Sequence, residues 1–84
     1  MSTSTIQVLY FAQVAELTQK RQESWPLEQP TVVSSWLEQV VSTYPVLVPL
    51  QSRLKIAINQ YHVEHDATIK PGDEVAIFEP VTGG

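Results

Sequence analysis

The chain ends Val81-Thr82-Gly83-Gly84, and a glycine pair in that position can do chemistry through its terminal carboxylate. A carboxylate is unreactive as it stands. Transfer onto ATP turns it into an acyl-adenylate, and a sulfur nucleophile can then displace AMP to leave a thiocarboxylate, a reactive sulfur that needs no cysteine side chain. Glycine lacks a Cβ, so such a tail can thread a narrow channel and bend as required. Pro80 cannot extend a sheet, which projects residues 80–84 as a flexible tail with a free carboxylate expected at Gly84. On the dipeptide alone, a frayed terminus or a cloning remnant is an equal reading.

The other side chains offer less. There is no cysteine, so neither a disulfide nor a thiolate metal site is available. Ser34, Ser35 and Thr43 lack the His and Asp needed for a nucleophilic triad. His62 and His65 lie near Glu64 and Asp66, but their spacing places them on opposite faces of a strand, and no metal site is expected. The net charge is -4 and the basic residues Lys20, Arg21, Arg53, Lys55 and Lys70 are scattered, which argues against a nucleic-acid partner. An acidic chain suits a basic protein partner better. The apolar run Val46-Leu47-Val48 is cut off by Pro45 and Pro49, and no stretch is long enough for a membrane span or a signal peptide. The expectation is a soluble, cytoplasmic protein.

With 84 residues, 43% hydrophobic and 17% charged, the chain reads as one globular domain over residues 1–84. Residues 5–11, rich in β-branched and aromatic types, read as a strand apolar on both faces, with Ile6, Val8 and Tyr10 on one side and Leu9 and Phe11 on the other. Residues 12–18 have the length of a short helical connector. Residues 22–27 read as a second strand, placed at an edge by Pro26, with Trp25 and Leu27 facing inward. Val33, Trp36, Leu37, Val40, Val41 and Tyr44 recur at spacings of three and four, which predicts a helix capped by Thr31 and ended by Pro45. Trp36 falls within that stripe and reads as core.

After a proline-containing loop, residues 54–59 alternate Leu54, Ile56 and Ile58 against Lys55, Ala57 and Asn59, a half-buried strand. Asn59-Gln60 starts a reversal into a short strand with Tyr61 and Val63. Lys70-Pro71-Gly72-Asp73 is a turn, with Pro presetting φ at the second position and Gly supplying positive φ at the third. It launches a last strand, residues 74–79, whose Val75 and Ile77 share one face while Ala76 and Phe78 share the other.

One strong helix among these strands predicts an α+β, ubiquitin-like β-grasp fold, a mixed sheet of four to five strands packed on one main helix. First and last strands then lie parallel at the sheet's centre. Leu9, Phe11, Ala76 and Phe78 form an exposed apolar patch on the open face near the tail, with Lys55 and Asn59 on the same side. Lys55 and Lys70 are candidate contacts for an acidic partner, though solvated charge is the simpler reading.

Three segments carry a resemblance: Val8-Leu9-Tyr10-Phe11-Ala12-Gln13-Val14-Ala15-Glu16-Leu17, the Ile58-Asn59-Gln60 corner, and Pro71-Gly72-Asp73-Glu74-Val75-Ala76 leading into Pro80-Val81-Thr82-Gly83-Gly84. Together they resemble the small, sulfur-carrier subunits of molybdopterin synthase. The resemblance implies that an adenylyltransferase of the ubiquitin-activating type activates Gly84 with ATP, and that a sulfur donor acting through that enzyme converts it to a thiocarboxylate. The tail then enters the large catalytic subunit and sulfurates a cyclic pyranopterin monophosphate to build the molybdopterin dithiolene.

On this reading the chain has no catalytic site of its own and binds no cofactor. Gly83 provides clearance, Val81 and Thr82 line the tail's entry, and Phe11, Phe78, Leu9 and His62 face the partner. Glu79 departs from the family, where a second proline or an apolar residue is more usual, and Trp25-Pro26 is also unusual. A carrier serving thiamine, cysteine or tRNA thiolation, a ubiquitin-like modifier joined to lysines, and a plain interaction domain stay open as alternatives.

Overall fold

The computed structural model describes residues 4–80. Val81, Thr82, Gly83 and Gly84 lie outside the described residues.

The chain runs β1 (Thr5–Tyr10), α1 (Ala12–Thr18), β2 (Gln22–Pro26), β3 (Thr31–Val32), α2 (Val33–Thr43), a 3₁₀ helix (Pro45–Arg53), β4 (Lys55–Ile58), β5 (Tyr61–Val63), β6 (Thr68–Ile69) and β7 (Glu74–Phe78). Five strands form the main sheet in the order β2-β1-β7-β4-β5, and β3 pairs with β6 in a separate two-stranded sheet. The central pair β1 and β7 is parallel, with Val8 opposite Val75 and Tyr10 opposite Ile77. The other neighbours in the main sheet are antiparallel. This is the β-grasp arrangement.

Alternation within strands sorts the side chains. Ile6, Val8 and Tyr10 of β1, Ile56 of β4 and Val75 and Ile77 of β7 are buried against Val33, Trp36, Leu37, Val40 and Val41 of α2 in one core. Trp36 is fully buried, and Trp25 of β2 meets it edge-on, with centroids 5.8 Å apart. Pro26 sits on the edge strand β2 opposite Thr5, where its missing N–H breaks no ladder between inner strands.

The structure corrects the start of α2. Thr31 is not its N-cap; it lies in β3 opposite Ile69, and its hydroxyl donates to the Gln29 carbonyl. The cap position is Val32, whose side chain can accept nothing. Two of the unpaired N–H groups of the first helical turn are satisfied by backbone instead, Val33 donating to the Ala67 carbonyl (2.8 Å) and Ser34 to that of His65 (2.9 Å). The β3–β6 pairing brings the segment that supplies those carbonyls against the helix.

Smaller differences have local causes. β1 stops at Tyr10 because Phe11 becomes the residue before α1, and β7 stops at Phe78. The proline-containing loop is a 3₁₀ helix that buries Leu47 and Leu50. Asn59 does not join the open face; its amide donates to Asp73 (3.1 Å) and its carbonyl oxygen accepts from the Glu74 N–H (3.0 Å), tying two turns together.

Candidate functional site

β7 lies between β1 and β4, and Glu79 and Pro80 lead from it toward the glycine pair. Cross-strand register lays Leu9, Ala76, Ala57 and His62 in one row across the open face of the sheet. One step toward the tail, Phe78 stands opposite Lys55. Leu9, Ala76 and Phe78 are half-buried, while Lys55 and His62 are exposed.

His62 and Phe78 meet over this face, with ring centroids 5.2 Å apart and planes tilted by 48°. Their strands flank β4, so the contact spans it. Ala57, expected to face outward as part of a half-buried strand, is only 7% exposed. Its methyl sits in the row between Ala76 and His62, on the strand that the His62 and Phe78 rings span.

Phe11 is 49% exposed and has left the strand, although its N–H still donates to the Ile77 carbonyl (3.2 Å). Its backbone stays extended (φ -122°, ψ 150°), which keeps its side chain on the side of Leu9. Ala12, next in the chain, takes φ +51°, a left-handed value that turns the chain sharply from β1 into α1. Leu9, Phe11, Ala12, Ala15 and Glu16 line an open hollow of about 770 Å³. The structure therefore brings Leu9, Phe78 and His62 onto one surface and puts Phe11 at its border. Val81, Thr82, Gly83 and Gly84 fall beyond the described residues.

Two features went unread in the sequence. The Arg53 guanidinium lies 2.9 Å from the Glu79 carboxylate, just past the end of β7. At the C-terminal end of β1, Tyr10 and Tyr44 both donate to the Glu23 carboxylate, Tyr44 at 2.8 Å, and the Lys20 ammonium donates to Glu23 (3.1 Å) and to the Tyr44 hydroxyl (2.9 Å). Burial by itself pushes Glu23 up, but the hydrogen bonds from Tyr10, Tyr44 and Lys20 outweigh it and hold the carboxyl below its ordinary value. Burial, reinforced by Glu23, pushes the Tyr10 phenol far up. No sequence periodicity reports a contact between such distant residues.

The histidines are engaged separately: His62 stacks on Phe78, and the His65 Nε2 lies 3.0 Å from the Leu54 carbonyl oxygen. Among the described residues no group of His, Asp and Glu side chains is placed to hold a metal ion. Among them, too, no helix is long and apolar enough to cross a membrane.

Comparison with known proteins agrees with this geometry. The pattern of the ThiS family matches residues 8–84. The molybdopterin synthase sulfur carrier subunit of Escherichia coli is 38% identical over 80 residues, covering 94% of this chain and 99% of that protein. Its human counterpart is 30% identical over 82 residues, covering 94% and 93%. Among solved structures, a putative molybdopterin converting factor subunit 1 from Pyrococcus furiosus superposes with a TM-score of 0.80 at 24% identity, over 94% of this chain and all of the other. This chain belongs to the ThiS family, among the molybdopterin synthase sulfur carrier subunits.

Proposed function

We propose that this protein is the sulfur-carrier subunit of a molybdopterin synthase and that Gly84 is its loading point. One observation carries the reading: the family match extends from residue 8 through residue 84, so it includes the glycine pair along with the fold. The open sheet face beside the end of β7 supports it, because Leu9 and Phe78 leave apolar surface where a tail-receiving protein would close.

In the proposed cycle the Gly84 carboxylate attacks the α-phosphorus of ATP bound to an adenylyltransferase of the ubiquitin-activating type, releasing pyrophosphate. A sulfur donor acting through that enzyme then displaces AMP, which leaves with one carboxylate oxygen, and the tail ends as a thiocarboxylate. Threaded into the large synthase subunit, that sulfur attacks a side-chain carbon of a cyclic pyranopterin monophosphate and displaces an oxygen substituent from it, so that the sulfur bridges the pterin and the Gly84 acyl carbon. Water then cleaves the bond between that sulfur and the Gly84 acyl carbon, which leaves the sulfur on the pterin and returns a carboxylate to be loaded again. Catalytic side chains and any bound cofactor belong to the partners, so the chain's own task is presentation and docking. Gly83 gives clearance, Val81 and Thr82 line the entry, and Phe78, Leu9, His62 and Phe11 form the docking face.

Intact-protein mass spectrometry tests the loading step. After incubation with the adenylyltransferase, ATP and a sulfur donor, the mass rises by the difference between one sulfur and one oxygen. An unchanged mass, under conditions that thiolate a known carrier, overturns the proposal. Adducts joined to lysines of other proteins would instead identify a modifier.

A further inference from the structure

Glu79 is an awkward residue for a docking surface. It follows directly on Phe78, immediately before Pro80, and its side chain is only 19% exposed. A protein that closes over the end of β7 strips the remaining water from that carboxylate. An unpaired charge removed from water is strongly unfavourable, whereas one held by a close counter-ion is tolerated.

The counter-ion is already in place. Arg53 ends the 3₁₀ helix, and its Nη2 lies 2.9 Å from Glu79 Oε2. The Arg53 side chain is 60% exposed, and an ion pair that open to solvent contributes little to folding stability. The pair borders an open hollow of about 570 Å³ at the base of the tail, lined by Ala12, Gln13, Arg53, Lys55, Glu79 and Pro80. Lys55, opposite Phe78 on β4, is the other cation in that hollow, but among the described residues only Arg53 pairs with Glu79.

We infer that Arg53 is a built-in counter-ion that lets the protein receiving the tail close over Glu79, and so acts as a positioning residue of the docking surface. The inference rests on the function proposed above, with the large subunit of molybdopterin synthase as the occupant. That surface must be apolar toward Phe78 and need not bring a cation of its own to Glu79. Removing Arg53 leaves Glu79 to be buried alone. Removing Glu79 does less harm, because Arg53 can turn outward into water.

Titration calorimetry of the full chain against the large subunit tests this asymmetry. Arg53→Met is expected to weaken binding about tenfold or more, while Glu79→Gln and the conservative Arg53→Lys stay within about threefold of wild type. The double variant Arg53→Met/Glu79→Gln is expected to recover to within about threefold of wild type. A purely structural or long-range role for Arg53 would leave the double variant as weak as Arg53→Met, and that result overturns the inference. Equal binding by Arg53→Met and wild type overturns it too while the functional proposal stands. If wild type itself does not bind, the docking part of the functional proposal fails and takes the inference with it.

Discussion

Glu23 takes hydrogen bonds from two phenols and an ammonium, and its charge is what those three donors require. A carboxyl held below its ordinary value in the fold adds stability above the unfolded-state pKa of about 4.3 and loses it as pH falls through the lower folded value. Glu23→Gln is therefore expected to be about 1–3 kcal/mol less stable than wild type at pH 7. The gap should narrow below pH about 4 as wild type is protonated, so denaturant titrations across pH should show the two curves converging. Tyr10 gives the opposite sign: the fold retains a proton that the unfolded chain releases above about pH 10, so stability declines as pH rises past that value. None of this was legible in the sequence, because Tyr10, Glu23 and Tyr44 lie far apart in the chain and meet only once β2 has paired with β1 and the Tyr44 ring has packed against Tyr10. Leu9 and Phe78 were legible from strand parity alone, whereas His62 came only from the family resemblance. Phe11 was assigned the right side but placed in the strand, because nothing in its side chain signals the left-handed turn at Ala12.

At the scale of elements, strong periodicity and strong turn chemistry were readable, and two-residue pairings were not. The stripe from Val33 to Val41 predicted α2, and Lys70-Pro71-Gly72-Asp73 predicted a turn whose closing bond runs from the Asp73 N–H to the Lys70 carbonyl (3.0 Å). β3 and β6 are too short to show alternation, and missing them made Thr31 look like a cap. The helix start is satisfied by carbonyls more than thirty residues downstream, which no local pattern can announce. Gly72 shows what the turn demands. Its φ is +93°, and a Cβ there would meet nothing within 4 Å, so a substitution pays backbone strain without a clash. Gly72→Ala is expected to lower stability by about 1–2 kcal/mol, seen as a melting midpoint lower by about 4–8 °C per kcal/mol. Gly72→Asn should lose less, because asparagine enters positive φ more readily.

For the whole molecule, the core is complete within the described residues: β1 and β7 at the centre, α2 on one face, and the open face beside the strand's end. Fold and loading point should therefore separate. A chain ending at Pro80 is expected to keep its folding stability to within about 0.5 kcal/mol and to gain no sulfur, as read by thermal melts and intact mass. The sequence disclosed this division in outline through its terminal glycines and the strand before them. It did not disclose that Glu79, noticed there only as a departure, has a partner in Arg53, since the two are separated in the chain and meet only once β4 and β7 have paired.

The central position of β7 also has a mechanical side. A strand at the edge of a sheet can be peeled away one hydrogen bond at a time. β7 is held along both flanks, parallel to β1 and antiparallel to β4, so traction applied along it loads two ladders in shear and strains their bonds together. Force on the chain beyond Pro80, whether from insertion into a narrow channel or from withdrawal, is therefore carried by two ladders at once, where an edge strand would pass it to one.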